Sequence, residues 1–255
     1  RIDVEGSRLS VSNAAGDGGT LTLTGELIRV GEGTELLATG SGKGGLVQVG
    51  GSWQNSDASV RQASQTWMQP GSLVDASSTG HGAGGTVVIW SDLNNLDGGT
   101  VVEGSLLARG GPLGGDGGRI ETSGPFLLAN PEKIDVSSID GLGGEWLLDP
   151  YNITIGPYDS SSDVDQVRDP NGASNDKLFE SSKSPSTVYL QNIKSALGYG
   201  DVRILTGSGN ASEGGNIVWQ SGYDLDYSSS AYKLTLDAVG YIQLNSSITT
   251  GSGGL

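Results

Sequence analysis

Apolar residues along this chain fall in short runs. Leu21-Thr22-Leu23, Val87-Val88-Ile89-Trp90 and Leu234-Thr235-Leu236 stand between stretches of Gly, Ser, Asp and Asn. Each run covers about four to six residues, the usual length of a strand. One phrase recurs in front of them: Gly-Gly, a variable residue, then β-formers. It reads Gly18-Gly19-Thr20-Leu21, Gly44-Gly45-Leu46-Val47, Gly84-Gly85-Thr86-Val87 and Gly98-Gly99-Thr100-Val101. It returns as Gly117-Gly118-Arg119-Ile120, Gly143-Gly144-Glu145-Trp146 and Gly214-Gly215-Asn216-Ile217, and Gly253-Gly254-Leu255 starts another.

An irregular repeat of turn and strand reads as a solenoid. A short strand cannot bury its inner face alone, whereas stacking coil on coil buries a continuous column of Val, Leu and Ile. The Gly-Gly pairs are expected to supply positive φ at the corners. Turns of unequal length bulge outward while strands keep register, which accounts for the uneven spacing. A β-sandwich also has many short strands, but it does not require the same phrase before strand after strand. The expected fold is therefore all-β, a right-handed parallel β-helix. At roughly 20–25 residues per coil it makes about ten to twelve coils, a rod on the order of 50 Å.

Two segments depart from this rhythm. Leu190 to Leu197 places Leu190, Ile193 and Leu197 on one face and is followed by Gly198, which predicts a short helix with a glycine cap before a strand at Asp201 to Thr206. From Gly156 to Thr187 the chain is polar, with Asp159, Asp163, Asp165, Asp169, Asn171 and Asp176. It reads as an excursion from the rod. The organisation is then shaft at 1–155, a polar loop or small subdomain at 156–187, and shaft again at 188–255. Long loops are where binding concentrates, so the excursion is expected to project and make contacts beyond its own coil.

Composition narrows the picture. Gly is 44 of 255 residues without the every-third-residue period of collagen. The net charge of −15 argues against nucleic acid, whose phosphates it repels, and against unassisted docking on anionic lipid. Like charge also discourages edge-to-edge pairing of strands. The absence of Cys excludes a disulfide scaffold and thiol catalysis. It also suits a chain threaded unfolded through an outer-membrane pore. No apolar run approaches the ~20 residues of a membrane-spanning helix. Arg1 and Leu255 both fall in mid-pattern, so the chain reads as a piece of something longer.

Candidate chemistry is sparse. His81, the single His, lies in Gly80-His81-Gly82 and reads as a solvated turn residue; no Ser-His-Asp triad or His/Cys zinc site forms around it. Gly40-Ser41-Gly42-Lys43-Gly44 lacks the Ser or Thr that a phosphate loop needs after Lys. A carbohydrate-active β-helix works with carboxylates alone, and Asp135, Glu145 and Asp149 are its candidates by position. Asp149-Pro150 reads as a turn closing a coil, with the carboxylate accepting backbone amides. Trp53, Trp67, Trp90, Trp146 and Trp219 read as coil packing, the alternative being an exposed row that stacks on sugar rings. Asp163, Asp165, Asp169 and Asn171 form an oxygen-rich cluster that can take calcium, against the simpler reading of a solvated loop. No other cofactor is expected. Acceptor sequons begin at Asn152, Asn210 and Asn245, and a pattern so short arises readily by chance.

Several phrases together carry a resemblance. Gly84 to Asp92 (GGTVVIWSD), Gly104 to Gly111 (GSLLARGG) and Gly114 to Gly124 (GGDGGRIETSG) are followed by Ile134 to Ser137 (IDVS) and Gly144 to Ile155 (GEWLLDPYNITI). This succession resembles the filamentous-haemagglutinin-like exoproteins of two-partner secretion, with Trp146 to Ile155 the most specific part. It is strong from Gly44 to Ile155, weaker over Asn192 to Thr206 and Lys233 to Leu255, and slight over Gly156 to Thr187. The resemblance implies a secreted or surface-anchored adhesin shaft on a Gram-negative bacterium, exported through an outer-membrane transporter. The implied roles are cell adhesion, aggregation, virulence or biofilm, with a receptor, a glycan or neighbouring copies as partners. Some members of that family carry glycans on Asn. No Arg-Gly-Asp occurs. No enzymatic activity is expected. A structural subunit of an extracellular filament is the alternative, and a carbohydrate-active enzyme the second one.

Overall fold

The computed structural model describes residues 1–157, 177–179, 186–207 and 214–255. Three strands recur in fixed order. The first coil runs through β1 (Ile2–Val4), β2 (Arg8–Ser10) and β3 (Thr20–Leu23), and the second through β4 (Leu27–Val30), β5 (Glu35–Leu37) and β6 (Leu46–Val49). The third holds β7 (Gln65–Met68), β8 (Leu73–Asp75) and β9 (Thr86–Trp90), and the fourth β10 (Gly99–Val102), β11 (Ser105–Leu107) and β12 (Arg119–Gly124). The fifth holds β13 (Leu127–Ala129), β14 (Lys133–Asp135) and β15 (Gly144–Pro150). Then follow β16 (Ile153–Gly156), β17 (Ser186–Tyr189), α1 (Leu190–Ala196), β18 (Gly200–Thr206), β19 (Ile217–Trp219) and β20 (Leu225–Asp226). The last strands are β21 (Leu234–Ala238), β22 (Ile242–Leu244) and β23 (Ile248–Thr249).

Each strand pairs in parallel with its counterpart in the next coil. A second sheet holds β2, β5, β8, β11 and β14, and a third runs β3, β6, β9, β12, β15, β18, β21. The sheets are all parallel and none closes into a barrel, which is the architecture of a parallel β-helix or solenoid. The longest sheet has nine strands and the third seven, fewer than the ten to twelve coils expected. The coils are longer than assumed: Leu46 of one coil pairs with Thr86 of the next.

The first sheet departs from chain order. It runs β1-β4-β7-β10-β13-β17-β16-β19-β22. After β15 the chain lays down β16 one rung too far along, and the later β17 fills the gap between β13 and β16. The second face then receives α1 where a strand would sit, packed against β14 and β20. Ile193, Ala196 and Leu197 face the core from this helix, and Leu190 is partly buried against it. Gly198 is not the expected left-handed cap: the C-terminal residue Leu197 is αR, and the Gly198 N–H closes a turn on the Ser195 carbonyl at 3.0 Å.

Alternation explains which side chains are inside. In the second sheet Leu9, Leu36, Val74, Leu106 and Ile134 stand in register as one column. In the third, Leu21, Val47, Val87, Ile120, Trp146, Val202 and Leu234 form another. These belong to one continuous core. Two polar groups beside the core find partners. The Trp146 indole N–H donates to Thr122 Oγ1 at 3.1 Å, and the Thr66 hydroxyl donates to the Trp90 carbonyl at 2.6 Å.

The Gly-Gly pairs precede β3, β6, β9, β12 and β15, but for a different reason from the one expected. None of the glycines in these five pairs has positive φ, whereas Gly215 and Gly254 of the later pairs do, at 65° and 82°, as expected. At most glycines of the five pairs the backbone passes so close to other backbone that no side chain fits; at Gly19 the nearest atoms are those of Val11 in the same coil, and at Gly143 the Tyr232 ring. A Cβ on Gly44 would lie 1.8 Å from the Ala76 carbonyl oxygen, and one on Gly85 1.9 Å from that of Gly45. The second glycine of each pair also donates across its own coil, as Gly85 N–H does to the Ala76 carbonyl at 2.8 Å.

Candidate functional site

The outer faces of the sheets are unequal. Alternation turns Gln48, Val88, Trp90, Glu121, Ser123, Leu147 and Asp149 away from the core of the third sheet, yet all are buried. The chain between β6 and β7 folds back over this face. Gln54 N–H donates to Glu121 Oε2 at 2.8 Å, the Trp90 indole N–H donates to Gln62 Oε1 at 2.9 Å, and the Arg119 guanidinium lies 4.2 Å from the Trp53 ring centre. Gln54 and Asn55 carry left-handed φ of 46° and 51° at the turn of this cover. The Tyr151 hydroxyl, bonded to the Leu93 carbonyl, joins the segment after β9 to the chain between β15 and β16.

On this buried outer face lie two carboxyl groups on adjacent coils, Glu121 of them beneath the cover. Ser123 is the direct ladder partner of Asp149, and Glu121 stands two residues earlier on the same face. The Ser123 hydroxyl donates to Glu121 Oε1 at 3.0 Å. Burial pushes Glu121 up to about 8, reinforced by the charge of Asp149 and opposed by its two hydrogen bonds and by Arg119. Burial likewise raises Asp149 to about 6, against the pull of Arg203. Asp149 Oδ1 has no hydrogen-bond partner among the described residues.

The three carboxylates singled out in the sequence are not brought together. Asp135 ends β14 in the second sheet. Its Oδ1 accepts the Ser137 N–H at 3.1 Å and the Ser137 hydroxyl at 2.7 Å, and its Oδ2 pairs with Lys133 at 2.9 Å. Burial works to raise this carboxyl, but the bonds from Ser137 and Lys133 outweigh it and hold it below the usual range. Asp75 and Asp226 accept the N–H of Ser77 and Ser228 in the same way, so Asp-x-Ser is a turn former at the ends of β8, β14 and β20. Glu145 and Asp149 share the outer face of β15, four residues apart, about 13 Å along a strand. Asp149-Pro150 is not a turn: both residues belong to β15, and among the described residues no amide donates to Asp149 Oδ1.

His81 is exposed in a turn, its N–H bonded to the Ser41 carbonyl at 3.1 Å. Trp67, Trp90, Trp146 and Trp219 are buried and Trp53 is half-buried, so they form no exposed row. Asp163, Asp165, Asp169 and Asn171 lie outside the described residues, as does Asn210. Among the described residues no group of three or more His, Cys, Asp or Glu is arranged to hold a metal. Asn152 Oδ1 accepts the Asn216 N–H at 2.8 Å, and Asn245 Nδ2 donates to the Trp219 carbonyl at 3.0 Å. Of the polar excursion, Leu178 and Phe179 lie in a second apolar cluster on the outside of the first sheet, with Leu27, Trp67, Val101, Phe126, Leu128 and Tyr189.

Glu121 was not singled out by the sequence. The available signal was the long polar insertion at 52–62, long enough to cover a neighbouring face and bury whatever points outward from it. No known family model matches the chain, and no curated protein matches it.

Proposed function

We propose that the chain is a length of shaft from a secreted Gram-negative surface adhesin of the filamentous-haemagglutinin type, wound as a right-handed β-helix and exported through an outer-membrane transporter. The observation that carries this reading is the in-register core. Column after column of inward side chains is committed to packing, which supplies stiffness and length. Right-handedness rests on the near-universal hand of crossovers between parallel strands. The phrases from Gly44 to Ile155 support the family reading, and the absence of Cys suits export of an unfolded chain.

The role proposed is mechanical and adhesive rather than enzymatic. The buried Glu121 and the separation of Asp135 from Glu145 and Asp149 favour this over a carbohydrate-active reading. The test is to display the chain on a non-adherent bacterium and count attachment to host cells and to a glass surface, beside a version lacking Asp159 to Ser182 bridged by a Gly-Ser linker. Attachment above the empty display strain is expected. Attachment no greater than that strain, or turnover of a polysaccharide lost in Asp149→Asn, contradicts the proposal.

A further inference from the structure

We propose that Asp140-Gly141 is a site of spontaneous backbone modification, at which the aspartate cyclises onto the next amide and reopens as isoaspartate. The inference concerns one turn of the fifth coil and does not depend on the adhesin reading.

Aspartate followed by glycine is the pair least hindered in this reaction, because glycine has no Cβ to block the approach of its nitrogen. The described residues hold four such pairs: Asp17-Gly18, Asp97-Gly98, Asp116-Gly117 and Asp140-Gly141. All four aspartates are exposed, so exposure does not separate them. Hydrogen bonding does. The Gly18 N–H donates to the Lys43 carbonyl at 2.9 Å, while Asp17 Oδ1 accepts the Lys43 N–H at 2.8 Å. The fourth coil repeats this clasp: the Gly117 N–H donates to the Leu142 carbonyl at 2.8 Å, and Asp116 Oδ1 accepts the Leu142 N–H at 2.8 Å. Gly98 is buried, and its N–H donates to the Asn95 carbonyl at 2.8 Å. Among the described residues neither the Asp140 carboxylate nor the Gly141 N–H has a hydrogen-bond or ion-pair partner.

The turn is held at its ends and free between them. The Ser138 hydroxyl donates to the Gly115 carbonyl at 2.7 Å, and Asp116 holds the Leu142 N–H, whereas Ile139 stands 76% exposed. Attack within such a tip needs only local torsion; at Asp17, Asp97 and Asp116 a backbone bond must open first. The Gly141 nitrogen attacks Cγ of the protonated Asp140 carboxyl. The N–Cγ bond forms, and the amide proton and the carboxyl hydroxyl leave as water, giving a cyclic imide. Water then adds at the former main-chain carbonyl of Asp140 and breaks its bond to nitrogen. The old main-chain carbonyl becomes the free carboxyl, and the chain continues through Cβ and Cγ. The formula is unchanged, no electrons are transferred, and the backbone of the turn is longer by one methylene.

The test is prolonged incubation of the folded chain in mildly acidic buffer made with heavy-oxygen water, beside the same chain in urea. Proteolysis and fragment mass spectrometry then locate isoaspartate and heavy oxygen residue by residue, since reopening of the imide incorporates one oxygen from water. In the folded chain at least about tenfold more labelled isoaspartate is expected at Asp140 than at Asp17, Asp97 or Asp116, each of which must first open a bonded amide. In urea the four sites should give comparable amounts. Asp140→Glu keeps the charge but must close a larger ring, and should leave position 140 unmodified in a chain that still folds by circular dichroism. Equal labelling of the four sites in the folded chain, no label at Asp140 where the urea sample is labelled, or an excess at Asp140 that persists in urea would overturn the proposal.

Discussion

At the scale of single residues, the glycines before the third-sheet strands are fixed by contact rather than by backbone conformation. A Cβ at Gly85 meets the Gly45 carbonyl oxygen at 1.9 Å, and backbone cannot step aside as a flexible side chain can. Gly85→Ala is therefore expected to destabilise by about 1–3 kcal/mol or more, the range for forcing atoms into packed space. Urea unfolding measures this, and a variant as stable as the parent would contradict the close-approach account. Glu121 sets a different expectation. Its ordinary value of 4.5 rises to about 8 in the fold, so between these values the folded state keeps a proton that the unfolded chain has released. Stability contributed by Glu121 is thus full below pH 4.5 and falls as pH rises to about 8. Asp149 adds a loss of the same sign between 3.8 and about 6. Unfolding followed across this range in chelator should show the decline, and Glu121→Gln should flatten its upper part. A stability that rises with pH in the parent between 6 and 8 would contradict the buried-acid assignment.

At the scale of elements, short outlying pieces are held by few bonds. Gln65 on β7 faces outward, and its side chain both donates to the Phe179 carbonyl at 3.0 Å and accepts the Leu178 N–H at 2.7 Å. Phe179 packs near Phe126, with ring centres 6.4 Å apart. Gln65→Ala leaves a buried amide and carbonyl unsatisfied, at a cost of about 1–3 kcal/mol. The loss should appear as faster hydrogen exchange at the Leu178 and Phe179 amides while the amides of β9 and β12 keep their protection. Unchanged exchange at Leu178 would contradict the docking. The same elements show what a sequence reveals. The strand Val87 to Trp90 and the helix after Tyr189 were legible because apolar periodicity records which residues face the core. The order β13-β17-β16 was not, because Ile153 and Ser186 obey the same inward rule whichever rung they occupy. Glu121 was hidden for a related reason. Alternation marks it as outward and so exposed, and only the fold of a distant loop buries it.

At the scale of the whole molecule, a parallel coil stack is specified by register repeated from coil to coil, and the inserted strand is where that register departs from chain order. β16 and β17 each have two neighbours, so the insertion leaves no gap in the nine-stranded sheet. The core crosses the insertion unbroken: Ala129, Val188, Ile155 and Trp219 follow one another as an inward column. The stack therefore transmits stiffness through a point where the chain leaves and returns. Because the chain has no Cys, paired cysteines test this order without background. Thr187 is the ladder partner of both Leu128 and Thr154. Leu128 and Thr154 are two rungs apart, about 9.6 Å, beyond the roughly 7 Å that a disulfide can bridge. Under oxidising conditions the account predicts a bridge for Leu128→Cys with Thr187→Cys and for Thr154→Cys with Thr187→Cys, and none for Leu128→Cys with Thr154→Cys. A bridge in that last pair alone would show coils wound in simple chain order and would contradict the account.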